Sequence, residues 1–405
     1  MHKNISKAVN RQKNKRMGRL TPTEEEVEAF LFLLRASLWG SLAPEAGELP
    51  DLNRLRAQAI WQLAEEQTVL GLITEALQRL YAGNIPAEYS VRNIQNATKM
   101  YNEHQLLNEN VRKTFDFLQG QGLFPVLLKG QGNAARYRDP LLRQCGDIDV
   151  YIGKKDFQKA CACIGQLVGE EAMRQAGQSR KHMHVNHGKI SIELHRIAEY
   201  LTNPLTHLRY QRLTQYWLRP GRTDTVAVGG YQVQVPGRQF NVFYVFNHFW
   251  HHFIFTGIGL RQICDWCMIL HEAAGKIDVA QLEKDLRQLH LLRPWQIMAH
   301  IAVGKLGLRP EEMPLYSEKY QEQTEKVWKL ILQGGNFGKF ESHRNPLSES
   351  YLQRKVKSFI QHHKSVFRLM SISAEDAISS YFYFLYVGVE QIFIDLFMNR
   401  RKLAS

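Results

Sequence analysis

Apolar positions recur at intervals of three and four through the first part of the chain, the spacing of one face of a helix. In TPTEEEVEAFLFLL, Thr23 and Glu26 stand at capping-box separation ahead of an apolar run, which predicts a helix start. DLNRLRAQAIWQLAEEQTVLGLITEALQRLYAG at 51–83 reads as one long helical pattern ending at Gly83, and AEYSVRNIQNATKMYNEHQLLNENVRKTFDFLQGQG at 87–122 as a second, closed by Gly120 and Gly122. At residue 123 the pattern changes. LFPVLLKGQG is a short apolar strand ending on glycines, NAARYRDPLLRQ a polar helical turn, and GDIDVYIG a second strand. KKDFQKACACIGQLVG follows as an amphipathic helix, and after a turn-rich HVNHGK comes the strand ISIELHRI. VAVGGYQVQV alternates around Gly229-Gly230, a two-residue hairpin signal. Beyond it FNVFYVFNHFWHHFIF, LRQICDWCMILHEAAG, DVAQLEKDLRQLHLL and SYFYFLYVGVEQIFIDLFMNRRK all carry the helical period.

The expected class is α+β. An α/β core at 123–238 is embedded between helical regions at 21–122 and 239–405, behind a basic, disordered tail at 1–20. With 405 residues, 44% of them hydrophobic, the chain can bury a sizeable core. The net charge of +13 is concentrated at one end: seven Lys and Arg and no acid fall within residues 1–20. That tail reads as a dispensable extension, with Met17 an alternative start. YFYFLYVGV at 381–389 is about half the length of a membrane span and is expected to pack in a core. An N-terminus without an apolar signal region makes a cytoplasmic location the default. Five cysteines in a chain of this length do not form a disulfide framework. Cys161-Ala-Cys163 and Cys264-Asp-Trp-Cys267 lie in helix-like stretches rather than on zinc-knuckle turns, and the histidines of HMHVNH (182–187) and HFWHH (248–252) read as packing.

Chemistry enters with the strand at 147–152. Asp is a poor strand former and its charge is costly to bury, yet Asp147 and Asp149 alternate with Ile148, Val150 and Ile152 and so share one face. In ISIELH, Glu193 shares a face with Ser191 and His195. If the two strands are neighbours, the three acids converge, and clustered carboxylate oxygens suit Mg²⁺ or Mn²⁺. Such a site serves in-line displacement at phosphorus, so phosphoryl or nucleotidyl transfer is the chemistry expected. Upstream, Gly130 and Gly132 open a helical turn whose amides can meet anionic oxygens, while Lys129, Arg136 and Arg143 can neutralise a triphosphate.

LLKGQGNAARYRDPLLRQCGDIDVYI, with IELH some forty residues on, resembles the largely uncharacterised bacterial nucleotidyltransferase family of the polymerase-beta superfamily. FYVFNHFWHHFIFTGIGLRQICDWCMIL is similar to that family's helical half, with Arg261 and Asp265 on its second helix; the likeness covers roughly 120–310. The resemblance implies a small mixed sheet, Asp147 and Asp149 as metal ligands, Glu193 as the third carboxylate, a nucleoside triphosphate donor and a hydroxyl acceptor. Lys129-Gly130-Gln131-Gly132 stands where the superfamily usually has a Gly-Ser or Gly-Gly turn for the triphosphate. Two roles stay open for His195, touching substrate or orienting Glu193, and two for Arg261 and Asp265, an intrahelical pair or part of the acceptor pocket. The alternative to an enzyme is a non-catalytic nucleotide- or RNA-binding protein that keeps the fold; a membrane-surface enzyme docking through its C-terminal NRRK helix is a third reading.

Overall fold

The computed structural model describes residues 19–40, 49–335 and 369–386, together with 360, 363, 366 and 367. The basic tail up to residue 18 and the NRRK end lie outside the described residues. Helices dominate, around one five-stranded mixed sheet and a separate hairpin, which is the α+β class expected.

Helix α1 (Glu24–Trp39) starts where the capping box places it: the Thr23 hydroxyl accepts from Glu26 N, and Glu26 accepts from Thr23 N. The single helical pattern at 51–83 is two helices, α2 (Ala57–Glu66) and α3 (Leu70–Leu80). Tertiary bonding makes the break. Fully buried Gln67 donates through Nε2 to Ile331 O (3.2 Å) and accepts from Leu260 N (3.1 Å), which commits it to two distant segments, and Thr68 turns to φ 57°. The next pattern does form one helix, α4 (Ala87–Gly120), of 34 residues.

Strand β1 (Val126–Leu127) leads through a four-residue helical turn, α5 (Gln131–Ala134), to β2 (Asp147–Tyr151). Helices α6 (Phe157–Val168) and α7 (Glu170–Arg174) follow, then β3 (Gly177–Gln178), β4 (His182–His187) and β5 (Ile190–His195). The turn-rich reading of HVNHGK is corrected here. HMHVNH is a strand antiparallel to β5, its inner face made by buried Met183 and Val185 and its other face histidine and asparagine; only Gly188-Lys189 turns. Helix α8 (Pro204–Trp217) precedes the hairpin β6 (Thr223–Val228) and β7 (Tyr231–Pro236), whose Gly229 and Gly230 take φ 56° and 84° as a tight two-residue turn demands. Helices α9 (Arg238–Phe255), α10 (Leu260–Ala273), α11 (Val279–Gln288), α12 (Leu292–Gly304) and α13 (Gln321–Gly334) complete the main body.

The sheet order is β1-β2-β5-β4-β3, with β2 and β5 parallel and the remaining pairs antiparallel. One of its faces, carrying Ile148, Val150, Ile192 and Leu194, joins Val111 and Phe115 of α4, Phe157 and Ile164 of α6 and Val233 of the hairpin in one apolar core. A larger core unites helices from both ends of the chain, with Phe30, Trp61 and Leu72 beside Phe246, Trp266 and Trp295. Only the sheet face opposite the first core is left for polar groups. Of the run at 381–389, residues up to 386 are described, and there Phe382 and Tyr386 are 65% and 54% exposed rather than in a core. No helix among the described residues is long and apolar enough to cross a membrane.

Candidate active site

Parallel pairing of β2 with β5 sets Asp147 opposite Ser191, Asp149 opposite Glu193 and Tyr151 opposite His195. Because side chains alternate, Asp147, Asp149, Glu193 and His195 all rise from one face. Asp147, Asp149 and Glu193 each bring a carboxylate oxygen within 4.8 Å of the others. Asp149 is fully buried between two cationic or proton-bearing neighbours: Lys129 Nζ lies 3.1 Å from its Oδ1 and His195 Nε2 donates to the same oxygen at 2.9 Å. His195 is also 3.4 Å from Glu193 Oε2. Its ring is buried behind the acids and holds both of them; it does not line the cavity in front.

The electrostatics follow from crowding. Burial pushes the Asp149 carboxyl up, but Lys129 and the His195 hydrogen bond outweigh it and hold the group below the ordinary aspartate value. Asp147 moves the other way, raised first by the charge of Asp149 and then by burial. Glu193 is lowered, because the His195 hydrogen bond overcomes its desolvation. Burial works against the Lys129 ammonium, yet Asp149, Asp147 and Glu193 together keep it above the ordinary lysine value. Asp149 Oδ2 is buried with no hydrogen-bond partner. A buried carboxylate oxygen without a donor is costly, and together with an all-oxygen donor set it is what a hard divalent cation would satisfy.

A cavity of about 270 Å³ opens in front of the acids. Lys129, Gly130, Arg143, Asp147, Glu193, Arg261 and Asp265 line it, and so do Lys181 and Tyr244, which the sequence reading left out, and His182, His248 and His252, which it took for packing and which the structure places on the cavity wall. Asp149, buried beneath the wall, does not line it, and neither do Gln131, Gly132 and Arg136. The amides of Gly132 and Asn133 are spent inside the turn, on Lys129 O (3.3 Å) and Gly130 O (3.1 Å), and Arg136 pairs with Glu272 at 2.5 Å. Gly130 itself has φ 65°, and a β-carbon there would meet Cys145 Sγ at 2.9 Å.

Arg261 and Asp265 do not pair along their helix. Asp265 takes Arg143 in a two-pronged buried ion pair, Nε to Oδ1 at 3.0 Å and Nη2 to Oδ2, and accepts from Tyr137 (2.8 Å) and Asn133 (3.3 Å). Arg261 donates instead to Gln144 O at 2.9 Å, its Nε has no partner, and no carboxylate lies within ion-pair distance of it among the described residues. Burial and then Arg143 lower it from the ordinary arginine value. A guanidinium of this kind beside the acids is suited to an anion.

The loop that carries Arg143 and Cys145 is held from below by the N-terminal helices. Cys145 N donates to His104 Nε2 (3.0 Å), so His104 Nδ1 carries the proton donated to Leu141 O (2.5 Å), and Gln144 accepts from Leu70 N (2.7 Å). Gly71 packs so close that a β-carbon would sit 1.7 Å from Leu142 O. On the opposite wall, buried Glu199 accepts from Lys181 (2.8 and 2.9 Å) and from His248 Nδ1 (2.7 Å), and with His248 and His252 it forms a second cluster of ligating groups. Burial, above all, lowers His248 to about 3 and His252 to about 2, so both are neutral imidazoles. In sequence only the placement of Glu in IAEY next to ISIELH hinted at Glu199.

A family model described as an uncharacterised nucleotidyltransferase matches residues 53–307, a span that runs from α2 through α12 and takes in every residue of the acidic cluster and the cavity wall. No curated protein and no solved structure matches the chain.

Proposed function

We propose that this chain, which belongs to the uncharacterised nucleotidyltransferase family, transfers a nucleoside monophosphate from a nucleoside triphosphate to a hydroxyl acceptor with the help of a divalent metal held by Asp147, Asp149 and Glu193. Under this reading the family sits within the polymerase-beta superfamily that the GDID strand resembles. The observation that carries it is the register of β2 and β5, which opposes Asp149 to Glu193 and leaves Asp149 Oδ2 buried without a donor. When bound, Mg²⁺ or Mn²⁺ supplies positive charge that stabilises the phosphoryl group in transfer and lowers the pKa of a coordinated hydroxyl.

The chain's own groups do the rest. His195 holds Asp149 beneath the cavity and Glu193 at its wall, and its hydrogen bonds keep both ionised. Arg261, with no acid at ion-pair distance among the described residues, neutralises the phosphates, while Lys129, paired with Asp149, offsets the charge of the acids themselves. Arg143 is committed to Asp265, so it shapes the wall and is not available to clamp the triphosphate. The acceptor hydroxyl oxygen forms a bond to the α-phosphorus, the bond from that phosphorus to the bridging oxygen breaks, and pyrophosphate and a proton leave.

The test is a thermal-shift and calorimetric titration of the protein with the four ribonucleoside triphosphates, each with and without Mg²⁺ or Mn²⁺. Binding that needs metal and is lost in Asp149→Asn is expected, with Glu193→Gln retaining nucleotide but losing transfer. Binding indifferent to metal in both proteins would sink the transferase reading in favour of a non-catalytic nucleotide binder.

A further inference from the structure

Helix α8 buries one side and leaves leucines on the other. Thr206, Tyr210, Gln211 and Thr214 form the buried side, with the Tyr210 ring 6.0 Å from that of Phe243 on α9 and Gln211 donating to Glu199 O at 2.9 Å. The outward side, at the same spacing of three and four, carries Leu205, Leu208, Arg209, Arg212 and Tyr216, all of them exposed. Leu205 and Leu208, one turn apart, are 78% and 58% open to solvent, so they form a patch and not two scattered surface residues. Arginine supplies the charge around them. Residues 204–222 contain Arg209, Arg212, Arg219 and Arg222 and no acid. Arg209 donates to Gln288 O (3.1 Å), and Arg219 and Arg222 lie 4.6 and 4.4 Å over the Tyr216 ring, with Arg222 also 5.4 Å over that of Trp217. No carboxylate stands within ion-pair distance of any of the four among the described residues, and Asp224, the acid nearest to Arg222 in sequence, accepts from Arg238 N (2.7 Å).

The composition of this face bears on what covers it. A second copy would set four arginines against four. A nucleic acid would meet the charge, but it offers no aliphatic surface to the leucines, and two guanidinium groups already lie over the Tyr216 ring where a base would stack. An anionic bilayer satisfies both halves. Leucines and aromatic edges enter between head groups, while arginine stems lie along the apolar boundary and their charged ends meet phosphates. We propose that the outer face of α8 docks the protein on an anionic phospholipid surface, whatever reaction the acidic cluster performs. Because Gln211 on the inner face bonds the segment that carries Glu199, the lipid surface lies about 10 Å, one helix diameter, from that segment of the cavity wall.

The measurement is co-sedimentation of the full chain with vesicles of phosphatidylcholine alone or with about 30 mol% phosphatidylglycerol, in about 50 mM NaCl. Binding is expected only to the anionic vesicles. Each arginine near the surface changes affinity about fivefold, so Arg212→Gln weakens binding about fivefold, and Arg212→Gln combined with Arg219→Gln about 25-fold. Leu205→Ser combined with Leu208→Ser weakens it about tenfold or more, and that factor persists at higher salt, where the arginine factors shrink. All four side chains are exposed, so urea melts of the variants match the parent. The basic N-terminal tail is identical in every variant and divides out of each ratio. Affinities unchanged in all the variants, or equal binding to neutral vesicles, overturn the proposal. So does an effect of the arginines alone with the leucine pair neutral, because the face is then a site for any polyanion, nucleic acid included.

Discussion

Replacing Asp265 with Asn tests whether the cavity wall is built as described. Every partner of this carboxylate is a donor: Arg143 through two nitrogens, the Tyr137 hydroxyl and the Asn133 amide. An amide in its place turns one acceptor into a donor facing donors, and it leaves the Arg143 guanidinium, about 5% exposed, without its counter-charge. Breaking one side of a buried pair costs about 3–5 kcal/mol. Against a total stability of about 5–15 kcal/mol that is a large fraction. Arg261 adds to the loss, because Asp265 is also among the acids that temper its charge. Urea denaturation followed by tryptophan fluorescence gives the number. Two companion results are expected: phosphate in the buffer raises the melting temperature of Asp265→Asn more than that of the parent, since two guanidinium groups now face the cavity unneutralised, and the double change Arg143→Met with Asp265→Leu recovers most of the stability because no charge remains buried. A loss below about 1 kcal/mol, on a pair this buried, would refute the reasoning.

Three other outcomes are expected. Arg261→Gln weakens triphosphate binding about tenfold or more by calorimetry while leaving the melting temperature nearly unchanged; equal affinity would remove Arg261 from the phosphate site. Gly71→Ala forces a methyl against Leu142 O and costs at least about 1–3 kcal/mol in urea melts, and an unperturbed melt would mean that α3 does not bear on the loop as closely as 1.7 Å implies. Burial lowers His104 from its ordinary value of 6.5, so the unfolded chain binds the proton more readily and stability is lost as pH falls below about 6.5. Buried His248 and half-buried His182 and His252 push the same way, so the measurement is the difference between parent and His104→Asn: the variant is less stable at pH 7.5 and loses less on going to pH 5, and parallel profiles would rule His104 out.

The acidic strands were legible because Asp147 and Asp149 break a rule that their neighbours keep, and the hairpin because Gly229-Gly230 permits only a tight turn. The nucleotidyltransferase family was legible from the same strand and its LKG turn. What sequence patterns hid was tertiary. Gln67 ends a helix by bonding to residues 193 and 264 positions away, and a periodicity scan along 51–83 has no access to either partner. Asp265 stands one helical turn from Arg261, yet its partner is Arg143, 122 positions earlier. HVNHGK looked turn-rich because of its Asn and Gly, although Val185 alternates with Met183 just before it, and alternation is what a half-buried strand requires. Arg136 had the charge for a phosphate and Gln131 the position, but an acid on α10 took the first out of the cavity and burial the second.

The two strands that carry the acids are flanked on both sides, β2 by β1 and β5, β5 by β2 and β4. Amides in such strands exchange with solvent only when a large part of the sheet opens. Their hydrogen exchange should therefore be among the slowest in the molecule, and the spacing of the carboxylates should hold through loop motion and fraying of the short outer strands. Under the proposed role of the acids, the site and global foldedness then fail together: under rising denaturant, activity should persist up to the main unfolding transition instead of fading ahead of it.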